Sequence, residues 1–278
     1  KKDDRRNCQK FRLILISVLI NRNIFMKNHK KRFDKTKNEY FLFLKKEKIF
    51  KKSNIFFYEN TIEKMNNWTN VNFQKTIDWY KKIKKNNKAK ISTIHLEKMK
   101  KWTYDKKKGV LKHNSGEFFH IEGKRITNSE REVKSWDQPF IKQVGYNGGI
   151  IGLVRANIKG IPHYLVDAKF EPGNYNQIQI SPSLQATYSN LDRVHLGLKP
   201  KVVKKYFSKN FKTIRKFWVT EDGGRLFLKR NLHWIIQYNG RINVPGKTYR
   251  WMTLWELDKF IKMGHFVGPH LRSILSLI

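Results

Sequence analysis

The sequence predicts an α+β protein, a class in which helices and antiparallel strands occupy different stretches of the chain. Three observations indicate this class. Apolar residues recur at helical spacing before residue 113, short segments that alternate apolar and polar residues fill 113–240, and a helix-capping motif follows at residue 253. Strands and helices therefore do not alternate one by one, as they would around a parallel sheet.

The formal net charge of +37 is concentrated towards the N-terminus, since residues 1–112 hold 33 Lys and Arg against 10 Asp and Glu. Such an excess is typical of nucleic-acid-binding proteins. Lys, Asn, Ile and Phe are all abundant in this part, however, so we interpret the charge as compositional drift and do not expect a nucleic-acid partner. The single Cys excludes a disulfide framework and favours a reducing, cytoplasmic location.

The first 60 residues show no clear periodicity, although one apolar run stands out. Leu13–Ile20 follows basic residues, but it is shorter than the roughly 20 residues that a membrane-spanning helix needs. We therefore expect a short buried or interfacial segment and no membrane partner. The chain starts at a Lys and stops within the apolar stretch Leu271–Ile278, which suggests a fragment of a longer protein.

Two helices are predicted before residue 113. Phe73, Ile77, Tyr80 and Ile83 recur at helical spacing, with Lys on the other faces. A second, short helix is expected to begin with Ser92 as its N-cap.

A β-hairpin is the clearest strand signal. Two segments, Ile150–Ala156 and His163–Phe170, are connected by Asn157–Gly160, where Gly supplies a positive φ. This pattern predicts two antiparallel neighbours in a sheet.

The second strand of the hairpin places polar residues on one side. Its period of two puts Asp167, Lys169 and Glu171 on the same face of the sheet. A turn is expected at Glu122–Gly123. The remaining strands are predicted at 117–121, 124–126, 224–228 and 232–238.

The C-terminal part is predicted to be helical. Thr253 and Glu256 have the spacing of a capping box, in which each side chain satisfies a backbone N–H of the other residue. Gly264 stands where a helix C-cap is expected, and another helix is expected to begin near Pro269.

Several common catalytic and cofactor motifs are absent from the sequence. It contains no GxGxxG fingerprint, no GxxxxGK[ST] loop, no HExxH and no GxSxG. We therefore expect no nucleotide cofactor and no metal site.

Polar residues are dense in three strand-to-loop segments, namely 136–139, 167–174 and 179–190. Amides and hydroxyls suit the hydroxyl groups of a small polar ligand, and an aromatic face suits a ring. Each segment also has a purely structural interpretation. Trp136 is compatible with a core position, and Pro172–Asn174 is a turn signal.

Taken in order, these motifs resemble the NDP-hexose 2,3-dehydratase family. The resemblance covers about 73–278. The blocks that carry it are His113-x-Ser115-Gly116-x-Phe118-Phe119, Trp136-x-Gln138-Pro139, Ala168-Lys169-x-Glu171-Pro172-Gly173-Asn174, Gln179-x-Ser181-Pro182, Gln185-Ala186-Thr187-x-Ser189-Asn190, Glu221-x-Gly223, Lys229-Arg230-Asn231, Arg250-Trp251-x-Thr253-Leu254 and Arg272-Ser273-x-Leu275.

The chain departs from the family pattern in two respects. Asp167 and Ser183 stand where members usually have Gln and Thr. Family members also contain two tandem repeats of a Nudix-like unit, and only one is present here. The spaced glutamates of Nudix hydrolases are missing too, so the resemblance does not imply pyrophosphate hydrolysis.

The resemblance implies a domain division. Residues 1–70 would form a basic extension outside the catalytic fold, and 71–278 would form one repeat unit with a Nudix-like mixed sheet and flanking helices. Within the unit we expect a helical lead-in, a sheet-rich core and C-terminal helices at 71–112, 113–240 and 250–278, respectively.

The implied reaction is the dehydration of an NDP-4-keto-6-deoxyglucose, in which the C3 proton and the C2 hydroxyl are lost without a cofactor. As hypotheses, Glu171 and Tyr188 transfer protons, Lys169 stabilises the enolate or binds phosphate, and Arg230 meets the pyrophosphate. His113 and His120 are reserve candidates. The residues expected to bind the substrate are Trp136, Gln138, Asn174, Gln179, Ser181, Gln185, Thr187, Asn190 and Arg230.

Two further interpretations stay open. The single unit would pair with a second repeat or with a second copy of itself, because the surface that the other repeat covers would otherwise be exposed. Alternatively, the chain is an inactive fragment, or a non-catalytic module that binds a nucleotide sugar or a nucleic acid. The substrate implied by the family is a nucleoside-diphosphate sugar, which we expect to be dTDP-linked.

Overall fold

The computed structural model describes residues 28–145, 148–193 and 198–278, and it divides the chain into two compact units, Lys1–Phe50 and Lys51–Ile278. The predicted apolar segment Leu13–Ile20 lies outside the described residues. Within those residues no helix combines the length and the apolar character needed to cross a bilayer.

The described part of the first unit contains a helix that the sequence analysis did not predict. Helix α1 spans His29–Lys46, and the side chain of Asn28 caps it by accepting a hydrogen bond from the Lys31 N–H. Its last turn carries Lys45 and Lys46, whose charges are favourable at a helix C-terminus.

The second unit begins with two helices. A 3₁₀ turn at Lys52–Asn54 leads into helix α2, Ile55–Met65, and helix α3 follows at Phe73–Lys85. Helix α3 confirms the helix that was predicted from the spacing of its apolar residues. Its buried Tyr80 donates a hydrogen bond of 2.7 Å to the carbonyl of Ile178, which anchors the helix to a strand about 100 residues later.

A seven-stranded mixed sheet forms the centre of the second unit. Its strands are β5 Gly149–Ile158, β6 Ile161–Phe170, β7 Ile178–Pro182, β8 Leu184–Thr187, β9 Phe211–Thr220, β10 Arg230–Tyr238 and β11 Tyr249–Met252. Their order in the sheet is β11-β6-β5-β10-β9, with β7 also paired to β6 and β8 also paired to β5. Strand β10 runs parallel to β5, and the other pairs are antiparallel.

The predicted hairpin is confirmed as β5 and β6. Lys159 and Gly160 connect the strands with φ values of 51° and 81°. Two successive positive φ values match the twist of a tight hairpin, and Gly adopts one of them without strain. The predicted α+β class, with a mixed sheet and flanking helices, is therefore observed.

A separate four-stranded antiparallel sheet precedes the mixed sheet in sequence. It contains β1 Trp102–Asp105, β2 Val110–His113, β3 Phe119–Ile126 and β4 Trp136–Gln143 in this order. A short bridge between Ile141 of β4 and Leu226 connects this sheet to the segment that leads into β10.

Two predictions were wrong in this region. The segment after Ser92 forms only a 3₁₀ turn at Leu96–Lys98, because Ile94 and Leu96 are exposed and Trp102 pairs with His113 in a strand ladder. Tertiary pairing thus overrides the helical spacing.

The predicted turn at Glu122–Gly123 is also not a turn. Both residues lie inside β3, where they pair with Phe140 and Pro139. Gly123 lies on the strand with open space beside it and does not mark a reversal of the chain.

The predicted strand 224–228 is a turn instead. The side chain of Asp222 accepts a hydrogen bond of 2.8 Å from the Gly224 N–H, and this local bond competes with an extended conformation.

Strand β9 was missed, since much of it is exposed and its apolar residues do not alternate regularly.

The C-terminal helices agree with the prediction. Helix α6, Leu254–Lys262, starts with the capping box of Thr253 and Glu256. Glu256 also accepts a hydrogen bond of 2.7 Å from the buried hydroxyl of Thr76, so the capping residue links α6 to α3. Gly264 follows with a φ of 88°.

Three shorter helices complete the second unit. Helix α4 spans Tyr188–Leu191, α5 spans Lys201–Tyr206, and α7 spans Pro269–Leu275 with Pro in its first turn as expected. The main apolar core lies between the mixed sheet and helices α3, α6 and α7. Its fully buried members include Leu153, Tyr164, Val166, Ile180, Ile235, Leu257, Phe260, Leu271 and Ile274.

A buried ion pair attaches helix α2 to the mixed sheet. Arg155 of β5 donates a hydrogen bond of 2.8 Å to Glu63, and the hydroxyl of Tyr164 donates one of 2.8 Å to the same carboxylate. Arg155 also donates to Gln237 at 2.6 Å. The side chains of Glu63 and Arg155 are 2% and 9% exposed, so neither charge has water as an alternative partner.

The domain boundary expected at residue 70 stays a prediction.

We expect Glu63→Ala to destabilise the fold by about 3–5 kcal/mol, because it leaves the Arg155 guanidinium buried without its carboxylate. Urea unfolding followed by tryptophan fluorescence measures this free energy. Glu59→Ala is the matched control, since Glu59 lies farther from Arg155, at 3.6 Å, and is 25% exposed. Equal losses in the two variants would contradict the importance of the buried pair.

Candidate active site

A cavity of about 310 Å³ opens between the two sheets of the second unit. Strands β3, β6, β8 and β10, the segment that precedes β10, and helix α7 all contribute to its wall. The lining residues are Phe119, Ile151, Lys169, Glu171, Gln185, Ala186, Thr187, Asn190, Glu221, Leu226, Lys229, Asn231 and His270. Nine of the 13 lining residues have polar or charged side chains, which suits a ligand rich in hydroxyl groups and negative charge.

A second lobe of about 260 Å³ adjoins this cavity. Glu171, Gln185 and His270 line both lobes and therefore stand at their junction. The residues that line only the second lobe are Pro172, Gly173, Asn174, Ser181, Gly268 and Pro269. The two lobes together could receive a molecule with two polar halves.

One side of the junction carries an ion pair. The Lys169 ammonium lies 2.5 Å from Glu171 Oε1, and the Gln185 amide donates to the same oxygen at 3.4 Å. The alternation of β6 explains this pair, since residues two apart share a face. The side chains are 31% and 35% exposed, so both remain accessible from the cavity.

Another part of the cavity wall holds a chain of hydrogen bonds. The Lys229 ammonium donates to Gln143 and, at 3.0 Å, to Asn231. The Asn231 amide in turn donates to Glu221 Oε1. His270 Nδ1 stands 3.6 Å from the same Glu221 oxygen.

Burial shapes the ionisation of this wall. It lowers the pKa of Lys229, an effect that Glu221 opposes. It also lowers the pKa of His270, and the nearby Lys169 and Lys229 act in the same direction against Glu221 and Glu171. His270 is therefore largely neutral at pH 7. His233, buried beneath this wall, has its pKa lowered to about 4, mainly by burial.

Thr187 and Asn190 enter the cavity through the start of a short helix. Thr187 is the N-cap of α4, and its hydroxyl accepts a hydrogen bond of 3.3 Å from the Asn190 N–H. The same hydroxyl lies 3.0 Å from the Ser189 hydroxyl. The cap thus fixes both residues at the rim.

The structure brings seven of the predicted site residues to the two lobes. Lys169, Glu171, Gln185, Thr187 and Asn190 line the first lobe. Asn174 and Ser181 line the second, together with Glu171 and Gln185.

Trp136 and Gln138 do not line the cavity and instead support its wall. The Trp136 indole donates to Gln138 at 2.6 Å, and the Gln138 amide donates to the Gly224 carbonyl at 2.7 Å. These bonds hold the turn that contains Leu226, which does line the cavity.

Three other predicted residues also lie outside the lining. Gln179 is buried and donates to the His265 carbonyl at 2.6 Å. Arg230 is exposed, with its guanidinium 4.7 Å from the centre of the Trp218 ring. Tyr188 begins helix α4 directly after Thr187 but is absent from both lobe walls.

The reserve candidates and Asp167 have structural environments of their own. His113 lies 2.6 Å from the Ser115 hydroxyl, and His120 lies 2.8 Å from Glu122 in the four-stranded sheet. Burial raises the pKa of Asp167, although a hydrogen bond with Thr248 opposes this shift.

Four charged or polar lining residues were missed as site candidates: Glu221, Lys229, Asn231 and His270. A signal existed for the first three, because the blocks Glu221-x-Gly223 and Lys229-Arg230-Asn231 belong to the family pattern. Only Arg230 was predicted from the second block, whereas its two neighbours, Lys229 and Asn231, are the residues that line the cavity. His270 had no local signal beyond its place after Pro269.

No group of three or more His, Cys, Asp or Glu is arranged to hold a metal ion in the part of the chain that the structure describes.

Three curated relatives are similar to this chain, and each is named dTDP-4-dehydro-6-deoxy-alpha-D-glucopyranose 2,3-dehydratase. The protein from Saccharopolyspora spinosa is 30% identical over 69% of this chain and 39% of its own length. That from Streptomyces violaceoruber is 30% identical over 71% and 44%. That from Amycolatopsis orientalis is 28% identical over 72% and 43%. The chain thus spans about two-fifths of the length of these relatives.

Two solved structures are similar at low TM-scores. An Ap4A hydrolase from C. elegans is 11% identical with a TM-score of 0.30, covering 48% of this chain and 95% of that one. The Nudix hydrolase RenU from M. smegmatis is 14% identical with a TM-score of 0.31, covering 56% and 97%. A family model described as NDP-hexose 2,3-dehydratase matches residues 73–278, which include every cavity-lining residue. The chain therefore belongs to the NDP-hexose 2,3-dehydratase family.

Proposed function

We propose that the cavity is the active site of a 2,3-dehydratase that acts on an NDP-4-keto-6-deoxyhexose during deoxysugar biosynthesis. One observation carries the proposal: the Lys169–Glu171 ion pair stands at the junction of the two lobes, in a chain of this family. The names of the relatives support a dTDP-linked substrate.

The chemistry of the reaction explains which groups are needed. A ketone at C4 acidifies the proton on C3, so a base removes it and negative charge develops on the C4 oxygen. The C2 hydroxyl then leaves as water once it receives a proton. The site must therefore supply proton transfer and positive charge, and it needs no redox partner because no electrons leave the sugar.

The residues of the ion pair fit these requirements. We assign Glu171 to proton transfer at the leaving hydroxyl, where it relays a proton from the Lys169 ammonium that lies 2.5 Å away. Lys169 and Lys229 supply positive charge for the enolate or the diphosphate. Two neutral amide oxygens accept hydrogen bonds from Lys229, so its charge is not cancelled by a directly bonded carboxylate.

The polar side chains of the two lobes are assigned to substrate binding. Gln185, Thr187 and Asn190 face the first lobe, and Asn174 and Ser181 face the second. Amide and hydroxyl groups of this kind form hydrogen bonds with sugar hydroxyls and base edges. The single Cys supports a cytoplasmic location for the reaction.

We also propose that this unit pairs with a second unit of the same kind, either on a longer chain or as a second copy. The length of the relatives supports this, since the chain covers 39–44% of them. The edge strand β9 supports it too, because Phe217 and Trp218 on this strand are 50% and 46% exposed. Exposed aromatic residues on an open sheet edge favour association.

Glu171→Gln tests the assigned proton transfer. We expect kcat for dTDP-4-keto-6-deoxyglucose to fall about 10²–10⁴-fold, because the amide keeps the shape but exchanges no proton. Product release, measured by chromatography, gives the rate. Glu130→Gln, an exposed position, serves as the control. Unchanged turnover in a folded Glu171→Gln protein would show that Glu171 does not transfer the proton. If the unaltered chain binds the substrate but does not convert it, the result would favour a non-catalytic binding module.

Phe217→Lys tests the pairing surface. We expect the substitution to shift the sedimentation coefficient from that of a dimer towards that of a monomer, since it places a charge on the proposed contact. Phe57→Lys is the matched control, because Phe57 is 56% exposed but lies on helix α2. A chain that sediments as a monomer at all concentrations argues against pairing between copies.

A further inference from the structure

We propose that His270 is the base that removes the C3 proton and that Glu221 is the positioning residue that orients its ring. This inference rests on the proposed dehydration and completes it. Dehydration needs one group that accepts the C3 proton and one that protonates the leaving hydroxyl, whereas the ion pair of Lys169 and Glu171 supplies only the second.

The position of His270 suits a group that contacts the reacting carbons. It lines both lobes, as Glu171 does, so the two residues meet at the junction. His270 comes from the start of helix α7, and Glu171 follows the end of strand β6. A ligand that occupies both lobes would contact both of these side chains. The sugar ring is then within reach of a base and an acid that belong to different elements.

Glu221 is held in place by a continuous set of hydrogen bonds. Its carboxylate accepts from Asn231, whose amide oxygen accepts from Lys229 at 3.0 Å. Lys229 also donates to Gln143, and the Gln143 amide donates to the Gly148 carbonyl at 2.8 Å. The carboxylate is thus fixed from strand β10 and strand β4 together.

The backbone around Gly148 makes this support stiff. Its φ is 95°, and a Cβ atom there would lie 2.4 Å from the Arg230 carbonyl oxygen. Only Gly permits this close approach of the backbone at residue 148 to strand β10. The acceptor that orients Gln143 therefore has little freedom to move.

The Glu221 carboxylate lies beside one nitrogen of the His270 ring. Nδ1 is the nitrogen that faces Glu221, at 3.6 Å. A carboxylate at this nitrogen favours the tautomer with the proton on Nδ1, which leaves a lone pair on Nε2. A neutral imidazole in this tautomer accepts a proton from carbon without a change of ring position.

Burial and two neighbouring lysines favour the neutral form of His270. Glu221, Glu171, Lys169 and Lys229 act on it from the cavity walls, and the buried His233 lies beneath. Burial and the two lysines lower the pKa of His270 below its ordinary value of 6.5, against the effect of the two carboxylates. The imidazole is therefore ready to act as a base near neutral pH.

The proton balance closes without any additional reactant. Nε2 of His270 takes the C3 proton, the C2–O bond breaks, and the hydroxyl leaves as water with a proton that Glu171 relays from the Lys169 ammonium. The product is an enol with a C2=C3 double bond and a hydroxyl on C3. Its tautomerisation moves the proton on His270 to C2 and returns the C3 hydroxyl proton to the Lys169–Glu171 pair, so every group regains its starting state.

His270→Ala tests the base. We expect kcat/KM to fall about 10²–10⁴-fold while calorimetry still detects substrate binding, and we expect imidazole added to the buffer to restore part of the rate. His95→Ala is the control, because His95 is exposed and lies outside both lobes. Retained turnover in His270→Ala, or a binding-competent inactive variant that imidazole does not restore, would overturn the assignment.

Glu221→Gln tests the positioning role through the pH profile. A base must be deprotonated, so kcat/KM falls as pH decreases through the pKa of His270. Glu221 raises that pKa, and its replacement by a neutral amide should therefore move the acid limb to lower pH. An acid limb at the same pH as in the unaltered chain would contradict this role.

These outcomes separate the inference from the function on which it rests. If the unaltered chain does not convert dTDP-4-keto-6-deoxyglucose, the proposed dehydration fails and the assignment of His270 falls with it. If the unaltered chain converts the substrate and His270→Ala does so equally well, only the assignment of His270 is lost.

Discussion

The cavity depends on a short backbone bridge between the two sheets. The Ile141 N–H donates to the Arg225 carbonyl, and the Phe227 N–H donates to the Ile141 carbonyl, both at 2.9 Å. This bridge ties the four-stranded sheet to the turn before strand β10. Glu221 and Lys229 stand on either side of that turn, so the contact that joins the sheets also places two of the charged residues of the site.

The charged side chains gain their importance from partial burial. Electrostatic interactions are stronger in a wall shielded from water than on an open surface. Lys169 has a carboxylate as its direct partner, whereas Lys229 has two neutral amides. The two lysines therefore differ in the charge that they leave for a ligand, and this difference supports their separate assignments.

Features fixed by near neighbours could be predicted from the sequence, and features fixed by distant partners could not. Helix α3, the hairpin turn at Lys159–Gly160 and the capping box at Thr253 depend on residues a few positions apart. The expected helix after Ser92 failed because Trp102 pairs in a ladder instead. In the site, the two-residue period of the strand predicted that Lys169 and Glu171 lie on one face. His270 lines the same cavity from a helix about 100 residues later, and no local sequence pattern predicts a contact over that separation.

Helix α2 has a consequence for how the chain acquires its structure. Glu63 precedes Arg155 by 92 residues, so on the ribosome the helix is synthesised well before the strand that neutralises its carboxylate. Until β5 and β6 have formed, that carboxylate is more stable in water than in an apolar interior. Burial of Glu63 with its charge neutralised therefore requires strand β5, although helix α2 precedes that strand in the order of synthesis.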